Sequence, residues 1–256
     1  MNKKIVLIAI SFLLVLMAFL GFVYSPSLPV KPNFVAIEPL ALRQMAFIRF
    51  MMPKINYSNT QILETRSRVL ALLVMYQTNG SLSHADQFWL YTTADVYQVP
   101  DFNIKSQTSI HELLLRIDEV PTSLVLAQAA NESAWGASRF AVQADNFFGQ
   151  YCYVAGCGLV PLSRPEGTIY EVEKFNNVED SIDNYLYNLN TNSNYAAFRQ
   201  LRYQMRLNGK FLTGFQLVPG LQNYSILGQD YIDRIHNIII NFNLMQYDNI
   251  DAAPTL

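Results

Sequence analysis

The chain has 256 residues, 15% of them charged, and a formal net charge of −2 with no basic stripe. That balance excludes a nucleic-acid footprint, and the length allows one moderate domain plus appendages. Apolar residues make up 51% of the chain, enough for a large core.

Lys3 and Lys4 precede an apolar run over residues 5–24 in which only Ser11 is clearly polar. A run of roughly 20 residues can cross a bilayer, whereas a signal-peptide core is usually about 7–15. No A-x-A site follows, and Pro26 comes directly after Ser25. Residues 1–25 therefore read first as an uncleaved signal-anchor and second as a cleaved signal peptide. Lys3 and Lys4 put the N-terminus in the cytoplasm. The rest of the chain is expected in the periplasm, held to the inner membrane through residues 5–24, or free in the envelope if the signal is removed.

Residues 26–37 begin Pro-rich and read as an extended tether. Residues 38–52 are apolar at helical spacing, and Pro53 is expected to end that helix. Ser58 and Gln61 have the spacing of a capping box. They predict a new helix through Leu70, Leu73 and Met75, ending near Gly80. Ser83 caps a helix through Phe88, Trp89 and Tyr91, with Pro100 as its breaker. Ser109 and Glu112 form a second capping box before a short helix ending near Val120. The Met and aromatic residues of this accessory helical region, residues 38–119, suit a core better than a cofactor box. It forms either a layer packed on the following domain or a small partner-binding lobe.

Residues 121–136, PTSLVLAQAANESAWG, have a helix's punctuation, with Pro121 at the start and Gly136 past the end. The run between is almost uncharged, as in a buried helix. Near its C-terminal end stands Glu132, where the macrodipole disfavours an acid. Such a residue is either functional or an idle helix-end carboxylate.

Residues 138–144 are a short segment, and residues 151–158 (YCYVAGCG) a loop. Residues 159–162 and 168–175 predict a β-hairpin turning at residues 163–167. Asn177 caps a helix through Ile182, Tyr185, Leu186 and Leu189. Residues 195–207 are helical up to Asn208-Gly209. Residues 229–244 form a last helix with Ile232, Ile235, Ile238 and Ile239 inward.

The string LAQAANESAWG, followed by NFFGQ at residues 146–150, resembles the glucosaminidase domain of glycoside hydrolase family 73, and the cysteine loop with GLVP resembles its Bax-type branch. The resemblance covers about residues 120–244. It implies a mainly α, lysozyme-like domain over residues 120–247 with one small β-hairpin. It also implies an endo-β-N-acetylglucosaminidase that cuts the glycan strands of bacterial peptidoglycan. A lytic transglycosylase or muramidase of the same fold, and a non-catalytic peptidoglycan-binding scaffold, stay open.

On this reading Glu132 is the general acid, its pKa raised by an apolar pocket. A second carboxylate would come from the hairpin, with Glu166 first and Glu171 and Glu173 behind it. Without one, the substrate's own 2-acetamido group could act as nucleophile. Trp135, Phe147, Phe148, Tyr185 and Tyr195 are candidate sugar platforms, each also suited to a core. Asn146 and Gly149 suit a turn. His84, His111 and His236 are scattered, so no metal site is expected, and no cofactor is implied. In an exported chain, Cys152 and Cys157 suit a short disulfide loop rather than a metal site, with two reduced thiols as the alternative.

Overall fold

The structure is a computed structural model that describes residues 29–248. The expected signal-anchor and the start of the tether lie outside the described residues. Among the described residues, no helix is long and apolar enough to cross a membrane. The architecture is mainly helical with one small sheet.

Helix α1 spans Leu40–Asn79 in one piece, through Pro53, where two helices were expected. An interior proline costs about 3 kcal/mol, whereas each fully buried large apolar side chain returns about 1.5–3. Phe47, Phe50, Met51 and Ile55 lie on both sides of Pro53 and are all buried, which outweighs that cost. Ser58 is buried within the helix rather than capping one. The helix ends where expected, at Gly80, whose φ of 72° closes the last turn with its N–H on the Tyr76 carbonyl.

Helix α2, His84–Val96, is capped by the Ser83 side chain. Helix α3, Gln107–Arg116, starts earlier than expected because Ser106, not Ser109, is the cap. The far half of α1 closes a satellite core with α2 and α3, containing Val69, Leu72, Leu90, Leu113 and Ile117. The near half of α1 belongs to the main core.

Helix α4, Thr122–Ser133, is the axis of that main core, with Ser123–Ala130 buried on every side. Its own N-cap, Pro121, offers no side-chain acceptor. Asp248 supplies one from the far end of the chain, accepting the Ser123 N–H and hydroxyl at 2.8 Å each and the Gly214 N–H at 3.2 Å. Burial pushes this carboxyl up to about 6, against the pull of those donors. Asn59 of α1 fixes the approach to α4, donating to the Val120 carbonyl at 2.7 Å and accepting its N–H at 3.1 Å.

A buried ionic cluster holds the preceding residues. Arg206 donates to Asp118 at 2.8 and 3.1 Å and to Glu119 at 2.9 Å, while Arg202 donates to the carbonyls of Leu115, Asp118 and Glu119. Arg202 and Arg206 come from α7, Ala196–Leu207, so this cluster ties α7 to the entrance of α4.

Past α4, Ala134, Trp135 and Gly136 all take positive φ. The Ser133 hydroxyl donates to the Ala129 carbonyl and accepts the Gly136 N–H, folding the turn back. A side chain at Gly136 would collide with the Phe34 ring at 2.4 Å. Helix α5, Arg139–Ala144, follows with Ser138 as cap.

The expected hairpin is present as the antiparallel pair β2–β3, but a third strand joins it: β1 Tyr151–Cys152, β2 Gly158–Leu159 and β3 Glu171–Glu173, in the order β1-β3-β2. The register pairs Tyr151 with Val172 and Gly158 with Glu173. The residues expected as a loop thus contribute β1 and the first residue of β2, while Leu159 and β3 fall within the expected strands, which are shorter than expected. Thr168–Tyr170, despite their β preference, stay outside the ladder because a sheet needs a partner edge as well as propensity. Helices α6, Val178–Thr191, α7, the short α8, Gly214–Leu217, and α9, Gln229–Asn241, complete the fold. Of the four isoleucines expected inward on α9, Ile232, Ile235 and Ile239 are buried and Ile238 is partly so.

Candidate active site

Glu132 sits in the last turn of α4, half-buried. Burial raises its pKa from the ordinary glutamate value, countered in part by hydrogen bonds from Asn131 and Tyr231 and by the charge of Arg234. The Asn131 amide donates to Oε1 at 3.0 Å. Tyr231 of α9 is held by Gln128, one turn before Glu132, whose Nε2 donates to the tyrosine oxygen at 2.7 Å. The Tyr185 hydroxyl in turn donates to Gln128 Oε1. Three buried polar side chains from α4, α6 and α9 therefore form one chain of hydrogen bonds that ends on the carboxyl. Burial raises the pKa of Tyr185, Tyr224 and Tyr231, so these hydroxyls stay neutral.

The segment Asn146–Gln150 packs against the other side. Asn146 donates to the carbonyls of Gln150 and Glu173 and accepts the N–H groups of Phe148 and Gln150, so it shapes this turn and binds it to β3. Gly149, at φ 68°, faces the carboxyl directly: a methyl there would stand 3.8 Å from Glu132 Oε2. Phe148 stacks on Tyr185 at 4.1 Å, and Tyr224 donates to the Phe148 carbonyl at 3.0 Å.

From Gly149 a cleft of about 620 Å³ opens, with Tyr151, Tyr153, Glu173, Asn188, Tyr195 and Tyr224 among its lining. Its size is that of a small-molecule site. Glu132 does not itself line this volume; it reaches the cleft's end beside Gly149.

The expected site residues divide sharply. Glu166 is exposed in the turn before β3 and is not part of the cleft wall. Glu171 accepts the N–H groups of Gly156 and Gly158 at 3.0 and 2.8 Å. Those two bonds lower its pKa and give it the job of pinning the cysteine loop. Glu173 lines the cleft, and burial raises its pKa.

Of the aromatic candidates, Tyr195 and Phe148 line the cleft. Phe147 is fully buried against Phe47, which removes it as a sugar contact. Trp135 packs against Phe242 at 4.5 Å and Phe47 at 5.6 Å between ring centres, because the left-handed turn after α4 points it into the core. Tyr185 is buried and acts on the hydrogen-bond chain rather than on the cleft surface. Cys152 and Cys157 are joined in a disulfide.

Sequence reading missed Gln128, inside the motif helix itself, and Tyr224 and Tyr231, which lie far from that helix in the chain. A signal was present for Gln128 alone: a polar residue within a helix otherwise apolar all round needs a buried partner.

Comparison with known proteins agrees with the motif. Residues 109–244 match the family model described as mannosyl-glycoprotein endo-beta-N-acetylglucosaminidase. The chain is 32% identical over 207 residues to Protein bax of Escherichia coli (strain K12), covering 81% of this chain and 71% of that protein. The crystal structure of the catalytic domain of the autolysin Auto from Listeria monocytogenes aligns at a TM-score of 0.45 with 17% identity, over 86% of this chain and 99% of that one.

Proposed function

Since the chain belongs to the glucosaminidase family, we propose that this glycosidase acts outside the cytoplasm on peptidoglycan, cutting the β-1,4 bond after N-acetylglucosamine. The observation that carries the reading is the Glu132 carboxyl, raised in pKa by burial and set at the end of a polar cleft. A carboxyl with a raised pKa holds its proton to higher pH, which is what a leaving glycosidic oxygen needs.

In this mechanism Glu132 gives its proton to the glycosidic oxygen as the C1–O bond breaks. Tyr231 and Asn131 hold the carboxyl in place and receive no part of the reaction themselves. Glu173 is the favoured second carboxylate, because it lines the cleft with a raised pKa. It would take the proton of the attacking water or orient the substrate's acetamido group for attack on C1. The disulfide supports an oxidising, extracytoplasmic setting.

The deciding experiment is digestion of purified cell wall by wild type beside Glu132→Gln, with analysis of the ends formed. The amide keeps the shape but has no proton to give, so the rate should fall by about 10²–10⁴-fold. Reducing N-acetylglucosamine ends are expected. Anhydro ends would assign a transglycosylase, and near wild-type lysis by a folded Glu132→Gln protein would overturn the role of Glu132.

A further inference from the structure

We propose that the cleft continues into a distal saccharide subsite built on the pair Gln98–Tyr187, through which the helices preceding the family's matched region grip further sugars of the same glycan strand. The proposal rests on the glycosidase reading above and adds a binding site to it.

Gln98 Nε2 donates to the Tyr187 hydroxyl at 2.9 Å, and both residues line the cleft that starts beside Glu132. Tyr187 also lines a second groove of about 290 Å³ between α1 and α6, together with Tyr57, Gln61, Thr65 and Asp183. The two cavities thus share a wall, and the Gln98–Tyr187 pair stands at their junction. Gln98 lies before residue 109, where the family match begins, so this contact is made by the accessory helices.

Gln98 also occupies an unfavourable backbone position. It follows α2 at φ 57°, the left-handed conformation that glycine adopts at least cost. What the glutamine adds at this helix end is an amide directed onto the Tyr187 hydroxyl.

The chemistry of the lining selects the ligand. No lysine or arginine lines either cavity; amides, hydroxyls and tyrosines predominate, with Glu173 and Asp183 as the carboxylates. Such a surface repels phosphate and suits a neutral polyhydroxyl chain, with ring faces for stacking and amides for hydroxyl groups.

The test uses the full chain carrying Glu132→Gln, so that binding is read without turnover. Affinity is measured for peptide-free glycan strands, for strands that keep their peptide stems and for short chito-oligosaccharides, with Gln98→Gly and Gln61→Ala added singly. Gln98→Gly relieves the left-handed backbone, so its melting temperature should stay level or rise. Its preference for long over short glycans should fall about fivefold, the scale of one lost hydrogen bond. Gln61→Ala, at an exposed position on the second groove, should cut the same ratio by a smaller factor. An unchanged ratio in both variants would overturn the distal subsite while leaving the glycosidase reading in place. A loss seen only on strands that still carry peptide stems would overturn the saccharide assignment. Failure of the Glu132→Gln parent to bind glycan of any length would overturn both readings.

Discussion

Gly149 faces the carboxylate of Glu132, and a methyl group on the glycine would stand in van der Waals contact with Oε2, at 3.8 Å. The contact joins the two halves of the family motif, the end of the buried helix and the NFFG turn. The backbone explains the glycine, since φ is 68° there, a conformation that strains any other residue. Gly149→Ala should cost about 1–2 kcal/mol through backbone strain, which lowers the melting temperature by a few degrees in a chain of this size. The added methyl further dries the carboxyl, so the alkaline limb of the pH–rate profile should move up. A melt and a pH profile on one preparation check both.

The two candidate second carboxylates separate by position. Glu173→Gln should lower wall cleavage by a factor approaching that of Glu132→Gln, about 10²-fold or more. Glu166→Gln, exposed and away from the cleft wall, should stay within about twofold of wild type, as surface substitutions usually do. Rates on the same wall preparation decide between them, and a reversed order would return the role to Glu166.

Tyr231 should tune the pH range of activity. Its hydrogen bond favours the ionised form of Glu132 and so lowers a pKa that burial has raised. Removing the hydroxyl in Tyr231→Phe lets the pKa rise further. A general acid works while protonated, so the alkaline limb of kcat/KM should shift to higher pH. A shift to lower pH would show that Tyr231 stabilises the protonated form instead.

Stability should depend on pH through the buried ionic cluster. Burial alone would raise the Asp118 pKa, but the charges of Arg66, Arg202 and Arg206 outweigh it and hold the carboxyl below its ordinary value. A depressed folded pKa stabilises above the unfolded value of about 3.9, and the gain disappears as pH falls through the folded value. Asp118→Ala removes the carboxylate shared by Arg66 and Arg206 and leaves only Glu119 to face these buried cations, at a cost of about 3–5 kcal/mol. Urea denaturation at neutral pH and below about pH 4 should show this difference shrinking in acid.

Much of the local architecture was legible from residue types alone. Ser83, Asn177 and Gly80 announced their helix ends because capping and left-handed closure depend on one side chain and its near neighbours. The buried α4 was legible from its uncharged run, and the Cys152–Cys157 loop from two cysteines five residues apart. The family motif singled out Glu132 and the NFFG turn, and the structure brings the two into contact.

What depended on distant partners was not legible. Pro53 and the Ser58 box read as a helix boundary, since their local cost is visible while the burial on both flanks is not. Trp135, Phe147 and Tyr185 have the residue types of a sugar platform, but only packing shows which rings turn inward. Asp248 caps α4 from 125 residues away, and Tyr231 reaches Glu132 from α9. By itself the sequence determined which groups could do chemistry and where helices end, because those properties belong to a residue and its immediate neighbours. Only the tertiary structure decided which carboxylate lines the cleft and which hydroxyl holds Glu132, because burial and long-range hydrogen bonds exist only once the chain has closed on itself.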